Sequence, residues 1–122
     1  MLRVKPLQII VTALALLFVQ NLQAGESLDQ TIKFLLNHIA TANAEFVRNG
    51  STHTPAEARE HVDAKYEHFK NQIKTPEDFI RLSASKSLLT GKPYLVKPKD
   101  GKEQTLSDWL TEALRAHRAG KL

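Results

Sequence analysis

Residues 27–50 read SLDQTIKFLLNHIATANAEFVRNG, and this stretch decides the architecture that we predict for the chain. Ser27 with Gln30 three residues later is a capping box, which satisfies free backbone N–H groups at the start of a helix. Asn49-Gly50 is predicted to end this helix, because both residue types tolerate the left-handed conformation of a C-terminal cap. Between these signals, apolar residues recur at the spacings of one helix face: Leu28, Ile32, Leu35, Ile39, Ala42 and Phe46.

Two further helices begin at a repeated signal, Thr-Pro-x-acid. Thr54-Pro55-Ala56-Glu57 supplies a threonine cap, proline at the first helical position and glutamate at the third. Thr75-Pro76-Glu77-Asp78 supplies the same signal about twenty residues later. The segments after the two signals do not match, so the pair predicts two consecutive antiparallel helices and not a sequence repeat. The apolar stripe of the first is Ala58, Val62, Tyr66, Phe69 and Ile73.

After Lys86, turn and strand signals replace the helical period. They are a breaker at Thr90-Gly91-Lys92-Pro93, a short strand at Tyr94-Leu95-Val96, a turn at Asp100-Gly101 and a brief return strand at Glu103-Gln104-Thr105. A final amphipathic helix runs from Leu106 to His117, capped by Thr105 or Ser107, with Trp109 as its expected anchor on the core. The predicted fold is therefore mainly α: a small four-helix domain with a short β-hairpin inserted between the third and fourth helices.

The N-terminus carries the pattern of a secretory signal peptide. Arg3 and Lys5 precede an apolar run, Leu7–Val19, and a polar stretch then ends on the small residue Ala24. The apolar run has 13 residues, whereas a membrane-spanning helix needs about 20. We expect cleavage near Ala24. An uncleaved anchor and a buried hydrophobic helix are the alternative interpretations.

Removal of residues 1–24 would leave residues 25–122 as a single helical domain with no stable membrane span. Two cations leave with the signal peptide, so the net charge falls from +4 to +2. We expect this domain to be periplasmic or secreted. The chain has no cysteine, which excludes disulfides, thiolate metal sites, cysteine nucleophiles and lipid attachment at cysteine.

The histidines and acids do not form a recognisable metal or acid–base motif, and we predict no metal site, no cofactor and no catalytic residue. His61 and His68 are two helical turns apart, about 10 Å, which is too far for direct chelation of one ion. His61 with Lys65 is interpreted as part of a solvated helix face. Ser83-Ala84-Ser85-Lys86 matches the Ser-x-x-Lys spacing of serine acyl-enzymes, but the other signatures of those enzymes are absent.

Six short motifs stand in a specific order and spacing along the chain. They are Phe46-Val47-Arg48-Asn49-Gly50, Glu57-Ala58 with His61 and Lys65-Tyr66, Asp78-Phe79-Ile80, Ser83-Ala84-Ser85-Lys86-Ser87, Thr90-Gly91-Lys92-Pro93-Tyr94 and Trp109-Leu110. Together they resemble a family of small secreted proteobacterial proteins that share a domain of unknown function, and the resemblance runs from Leu28 to Leu114. The resemblance implies an exported bacterial protein of the predicted architecture, and it carries no assigned activity.

Positive charge is concentrated on the predicted loop and hairpin. Residues 86–102 contain one acid, Asp100, and five lysines, at positions 86, 92, 97, 99 and 102. Such a local field attracts phosphates or acidic lipid headgroups. The alternative is that the lysines solubilise a short exposed β edge. Nucleic acid is not an expected partner, because export separates the protein from it and stacking aromatic residues are scarce here.

The best candidate for a polar binding site surrounds Gly91, where a backbone without Cβ allows close approach of a ligand. Arg48 at the predicted end of the first helix is a further candidate, and the sequence leaves open whether it faces the same loop or only caps the helix. Hydroxyls in such a loop also serve as turn and capping partners, which needs no ligand. The candidate ligand- or partner-binding residues are Ser85, Lys86, Ser87, Thr90, Lys92, Tyr94 and Arg48.

We expect an exported, non-enzymatic binding module that contacts a protein or an anionic partner of the cell envelope through the lysine-rich loop and hairpin. The alternative is a small-ligand-binding protein or hydrolase that uses the Ser, Thr, Lys and Tyr side chains around Gly91. A structural role as a homodimer is a third hypothesis. The sequence leaves the partner and the oligomeric state open.

Overall fold

The computed structural model describes residues 25–120. Their helices are α1 (Leu28–Ala40), α2 (Pro55–Phe69), α3 (Pro76–Ser83) and α4 (Leu106–Arg118), with a short 3-10 turn at Lys70–Gln72. Their strands are β1 (Ala44–Arg48), β2 (Ser51–His53), β3 (Leu95–Pro98) and β4 (Gln104–Thr105). No helix within this range has the length and apolar character needed to cross a membrane. The predicted signal peptide, residues 1–24, lies outside the described residues.

Each helix begins where the sequence predicts, because its first free N–H groups are satisfied by a nearby side chain. Ser27 forms a reciprocal capping box with Gln30, and Thr54 forms one with Glu57. These contacts lie within three residues, so the local sequence is sufficient to encode them. The four capping side chains are Ser27, Thr54, Thr75 and Thr105.

The first helix ends nine residues earlier than predicted. It stops at Ala40, where the Thr41 hydroxyl donates to the Asn37 carbonyl at 2.8 Å. The chain then enters β1, so the assignment of Ala42 and Phe46 to a helix face was wrong. A spacing of four residues returns a side chain to the same face in a helix and also in a strand, so this stripe fits both structures.

Asn49-Gly50 is a hairpin turn and not the end of a helix. Arg48 pairs with Ser51 across it, and both central residues have positive φ, 52° for Asn49 and 79° for Gly50. Two consecutive left-handed residues match the twist of the strands in a two-residue hairpin. The sequence correctly predicted a left-handed backbone at Asn49-Gly50. The prediction that this backbone ends a helix was wrong, because it forms the β1–β2 turn.

The strands form one antiparallel sheet in the order β2-β1-β3-β4, so the prediction of a mainly α fold with an inserted hairpin was wrong. The fold is α+β. The predicted hairpin exists as β3 and β4, with Val96 opposite Gln104. Val96 also pairs with Phe46 of β1, which joins the hairpin to the earlier β1–β2 pair. That pairing spans about fifty residues of chain, and no local pattern in either segment reveals it.

The sheet and the helices share one hydrophobic core. Phe46 and Val96 are buried and lie in the same cluster as the helical residues Ile32, Leu35, Ile39, Val62, Phe79 and Leu110. Trp109, the predicted anchor of α4, is half-buried at the margin of this core. Its ring lies edge-on to Phe46 with centroids 5.8 Å apart, and 4.4 Å from the ring of His38. This packing holds β1 and β3 against the helices.

We predict that Gly50→Ala destabilises the protein by about 1–2 kcal/mol, because an alanine at φ 79° must adopt the left-handed conformation. Urea unfolding would measure the change. Gly101→Ala is the matched control, since Gly101 lies in the β3–β4 turn without positive φ, and its added Cβ meets only ordinary contacts with Pro98. Equal effects of the two substitutions would contradict the strained hairpin turn.

Candidate functional site

The register of the sheet brings Arg48 and Tyr94 together. Val47 pairs with Leu95, so the last residue of β1 and the residue just before β3 are neighbours. Two side chains of α2, His61 and Lys65, lie one helical turn apart and contact them. We call Arg48, His61, Lys65 and Tyr94 the polar cluster.

The donor and the acceptor of each hydrogen bond in the polar cluster can be assigned. Arg48 Nη1 lies 3.1 Å from His61 Nδ1, and a guanidinium can only donate, so Nδ1 accepts. A neutral imidazole then carries its proton on Nε2, which donates to the Tyr94 hydroxyl oxygen at 3.0 Å. Lys65 Nζ donates to the same oxygen at 3.0 Å. Tyr94 therefore accepts two hydrogen bonds, and its own O–H remains available to a further acceptor.

Burial determines the ionisation of the polar cluster. Burial, with the charges of Arg48, Lys65 and His53, lowers the pKa of His61 to about 4, so the ring is neutral at pH 7. Burial and the charge of Arg48 also lower the pKa of Lys65. Burial raises the pKa of Tyr94, which keeps the phenol protonated. The two cations of the cluster, Arg48 and Lys65, form no ion pair with any carboxylate of residues 25–120.

The polar cluster lines a groove of about 250 Å³ between α2 and the loop that precedes β3. The other lining residues are Asn49, Ser87, Leu88 and Leu89. Arg48, Lys65 and Tyr94 offer donors to this groove. A group of hydrogen-bond donors with net positive charge is complementary to an oxyanion, such as a phosphate or a carboxylate.

The loop beside the groove, residues 85–94, is held by its own hydroxyl groups. Ser87 Oγ accepts from the Leu89 N–H at 3.2 Å, from the Thr90 N–H at 3.3 Å and from Asn49 Nδ2 at 3.2 Å. The Gly91 N–H donates to the Ser87 carbonyl at 2.9 Å. Asn49 belongs to the β1–β2 turn, so the hairpin and the 85–94 loop support each other.

Three of the seven candidate residues from the sequence line the groove together: Arg48, Ser87 and Tyr94. Two of the others have structural contacts, since Ser85 Oγ donates to the Ile80 carbonyl at 2.8 Å and Thr90 Oγ1 bonds to Asn49 Oδ1. The side chains of Lys86 and Lys92 are exposed outside the lining of the groove. The Lys86 carbonyl, however, accepts from Lys65 Nζ at 2.7 Å.

Two of the four residues in the polar cluster, His61 and Lys65, were not predicted from the sequence. The interpretation of His61 and Lys65 as a solvated face of α2 was wrong, because Lys65 is only 9% exposed and His61 is partly buried. Each lies three residues after a member of the apolar stripe, Ala58 or Val62. That spacing places them at the margin of the stripe, and it was the available signal. Their burial depends on the loop that covers them, which the local sequence does not show.

The Ser-x-x-Lys match does not form a nucleophile in this structure. Ser83 is completely buried in α3, and within residues 25–120 its Oγ has no hydrogen-bond partner. Lys86 is exposed and lies beyond the end of the helix. In the same part of the chain, no three His, Asp or Glu side chains lie close enough to hold a metal ion.

A second, larger groove of about 530 Å³ lies beside α4 and the start of α1, and three of its four ionisable side chains, Glu26, His117 and Arg118, are already paired, which leaves Lys74. His117 Nε2 lies 2.7 Å from Glu26 Oε1, and Arg118 Nη1 lies 2.6 Å from Glu77 Oε2. Because these charges are already compensated, a charged ligand gains less by binding in this groove. We therefore take the groove at the polar cluster as the candidate site.

We predict that the protein loses about 1–2 kcal/mol of stability between pH 7 and pH 4.5 through His61, allowing for the solvent access of a partly exposed ring. The unfolded histidine, with a pKa of 6.5, binds a proton in this range that the folded one, near 4, does not. Stability therefore falls as the pH falls. Urea unfolding of His61→Asn at both pH values would show a smaller difference than the wild type.

His68→Asn is the control for this prediction, because His68 is exposed on the same helix. It should retain the full loss of stability. Burial also lowers the pKa of His38, so a smaller pH dependence is expected to remain in His61→Asn. An unchanged difference in His61→Asn would show that the imidazole is not held neutral in the folded protein.

Comparisons with known proteins place the chain in a family. A family model described as a family of unknown function, DUF5329, matches residues 26–118. A protein of Salmonella typhimurium named "Uncharacterized protein YfeK" is 41% identical over 75 residues, which cover 61% of this chain and 61% of that relative. The chain thus matches less than two thirds of the relative's length, and no solved structure matches the chain significantly. The resemblance drawn from the short motifs is confirmed: the chain belongs to the DUF5329 family, a bacterial family of unknown function.

Proposed function

We propose that this protein is an exported binding module that holds an oxyanion of its ligand in the groove at the polar cluster and does not alter it chemically. One observation carries the proposal: Arg48 and Lys65 share the groove without a carboxylate partner in the described part of the chain. Removing a cation from water without pairing it is unfavourable in free energy. An anionic ligand offsets this penalty because it neutralises the charge.

The hydrogen-bond inventory supports an oxyanion over a cation or a neutral amide. Both acceptor positions of the Tyr94 oxygen are filled by His61 and Lys65, so the hydroxyl can only donate to a ligand. Arg48 and Lys65 are donors in every state relevant at neutral pH. A phosphate or carboxylate offers acceptors alone and therefore satisfies all three groups together.

The role of Ser87 supports binding over the hydrolase alternative. Ser87 is 5% exposed, and its Oγ already accepts from two backbone N–H groups and from Asn49. A serine nucleophile needs an adjacent base, and within residues 25–120 no basic side chain is hydrogen-bonded to Ser87 Oγ. The hydroxyl groups of this loop maintain its conformation. The donors that the groove offers to a ligand belong to Arg48, Lys65 and Tyr94.

Export is part of the proposal and rests on the sequence. The 13-residue apolar run after Arg3 and Lys5 has the length and flanks of a signal peptide, with cleavage expected near Ala24. The domain would then act in the periplasm or outside the cell, where anionic groups of envelope components and proteins are accessible. This agrees with the sequence-based hypothesis of a protein or envelope partner.

We expect inorganic phosphate and glycerol 3-phosphate to bind the groove of the full chain and to shift the NMR signals of Ser87, Leu89 and Tyr94. Arg48→Gln should weaken this binding by at least tenfold, because a hydrogen bond to a charged group contributes about 1.5–3 kcal/mol. Acetate in place of phosphate distinguishes a carboxylate ligand from a phosphate. Tyr94→Phe, which removes one donor and no charge, should have a smaller effect.

Lys65→Gln and Lys70→Gln form a matched pair for this experiment. Lys65 lies within α2 and Lys70 directly follows its last residue, and Lys70 is exposed and pairs with Glu67 outside the groove. Only Lys65→Gln should weaken phosphate binding. Similar losses in both variants, or shifts spread over all surface lysines, would mean that the anion responds to net charge and not to this groove.

A further inference from the structure

Two leucines at the rim of the groove are exposed to solvent. Leu88 is 68% exposed and Leu89 is 90% exposed, and they are the only large apolar side chains so exposed in residues 25–120. The hydrophobic core is complete without them, since neither lies in the buried cluster or packs against it. Adjacent exposed leucines next to a functional groove indicate a surface that contacts an apolar partner.

Leu88 and Leu89, which we call the leucine tip, have a defined backbone conformation. Leu89 and Thr90 donate backbone N–H groups to Ser87 Oγ, and Ser87 itself donates its N–H to the Lys92 carbonyl at 3.0 Å. Asn49 anchors the tip to the β1–β2 turn through Ser87 and Thr90. A tip that is ordered before it binds loses little conformational entropy on contact.

Cations flank the leucine tip in the sequence, and acids are absent from the same stretch. Between Asp78 and Asp100 the chain has no acidic residue but has five cations, of which Lys86 and Lys92 are exposed on either side of the leucines. Arg48 and Lys65 add two more within the adjoining groove. Apolar side chains at a tip with basic side chains around them have the chemistry of a surface that lies on an anionic lipid interface.

We propose that the ligand is the surface of an anionic phospholipid bilayer, which the 85–94 loop contacts. This inference rests on the proposed function, since one lipid phosphate takes the place of the oxyanion in the groove. Leu88 and Leu89 enter the boundary between headgroups and acyl chains, and Lys86 and Lys92 lie at the level of the headgroups. The partner is a peripheral contact of one loop, and no part of it requires a spanning helix.

The arrangement of the groove and the tip favours a lipid surface over a soluble phosphate compound. Leu88 and Leu89 line the same groove as Arg48, Lys65 and Tyr94, so a ligand bound there contacts hydrogen-bond donors and leucines together. A small phosphate satisfies the donors but leaves both leucines in water. A phospholipid supplies a phosphate and an apolar chain on the same molecule.

The full chain contains no cysteine, so Leu89→Cys introduces a unique site for an environment-sensitive fluorophore. We expect a blue shift of this label with vesicles of phosphatidylcholine and phosphatidylglycerol, and none with phosphatidylcholine alone. Because the label reports only on position 89, membrane contact through the apolar N-terminal run leaves it unchanged. A label at Glu112→Cys, exposed on α4 outside the groove, should show no shift.

Charge and apolar variants separate the two contributions to vesicle affinity. Lys86→Gln with Lys92→Gln should reduce the affinity reported by the label by about 25-fold, since each lysine near an anionic surface contributes roughly fivefold. Lys99→Gln with Lys102→Gln removes the same charge from the β3–β4 turn and should have a much smaller effect. Leu88→Asn should reduce the affinity of the labelled protein for anionic vesicles by at least tenfold.

The outcomes distinguish this inference from the proposed function. Phosphate binding in the groove without a blue shift at position 89 would overturn the bilayer contact and leave the oxyanion site in place. A blue shift that survives Arg48→Gln, with no phosphate binding, would overturn the oxyanion site. An equal shift with neutral vesicles, or a shift that requires an added protein and no lipid, would also overturn the proposed anionic bilayer contact.

Discussion

The antiparallel pairing of β1 with β3 connects the two halves of the sheet and sets the positions of the core and the site. It joins the β1–β2 pair and the β3–β4 pair into one sheet, and it places Phe46 opposite Val96 in the core. The same register places Arg48 beside Tyr94, one step beyond the last paired residues. A shift of one residue would turn Phe46 out of the core and separate the two side chains of the site. Fold and site therefore depend on the same set of backbone hydrogen bonds.

Lys65 links the sheet to the 85–94 loop through its hydrogen bonds. Its ammonium is buried, and burial of a charge is unfavourable unless hydrogen-bonding partners replace water. The partners are the Tyr94 hydroxyl, placed by β3, and the Lys86 carbonyl, which lies in the loop. The loop thus has a conformational preference imposed by the lysine beneath it, in addition to the hydrogen bonds of Ser87. The exposed leucines owe their position to these polar contacts, because neither leucine belongs to the hydrophobic core.

The neutral state of His61 fixes which atoms of the polar cluster donate hydrogen bonds and which accept them. His61 Nδ1 accepts a hydrogen bond from Arg48 of β1, and Nε2 donates one to Tyr94, the residue before β3. The neutral ring connects the two side chains without adding a charge. A charged imidazole at this position would repel Arg48 and would have no acceptor to offer it. Positive charge is therefore limited to the two side chains that line the groove, and the donors of the cluster remain available to one anion. The bilayer contact that we propose uses these donors and the leucine tip together.

Part of this structure was readable from the sequence because it depends on neighbours a few residues apart. The capping contacts of Ser27, Thr54, Thr75 and Thr105 each lie within three residues, and the left-handed preference of Asn49-Gly50 is intrinsic to those residues. The apolar stripe through Ala42 and Phe46 was ambiguous, because a period of four suits helix and strand alike.

Candidates for the site were readable by residue type, which is how Arg48, Ser87 and Tyr94 were selected. Only the tertiary structure decided that β1 is a strand, that the sheet has four strands, and that His61 and Lys65 belong to the site. Tyr94 lies 33 residues from His61 and 29 from Lys65 in sequence. Contacts across such separations depend on how distant segments pair and bury each other, which is a property of the whole fold and not of any local pattern.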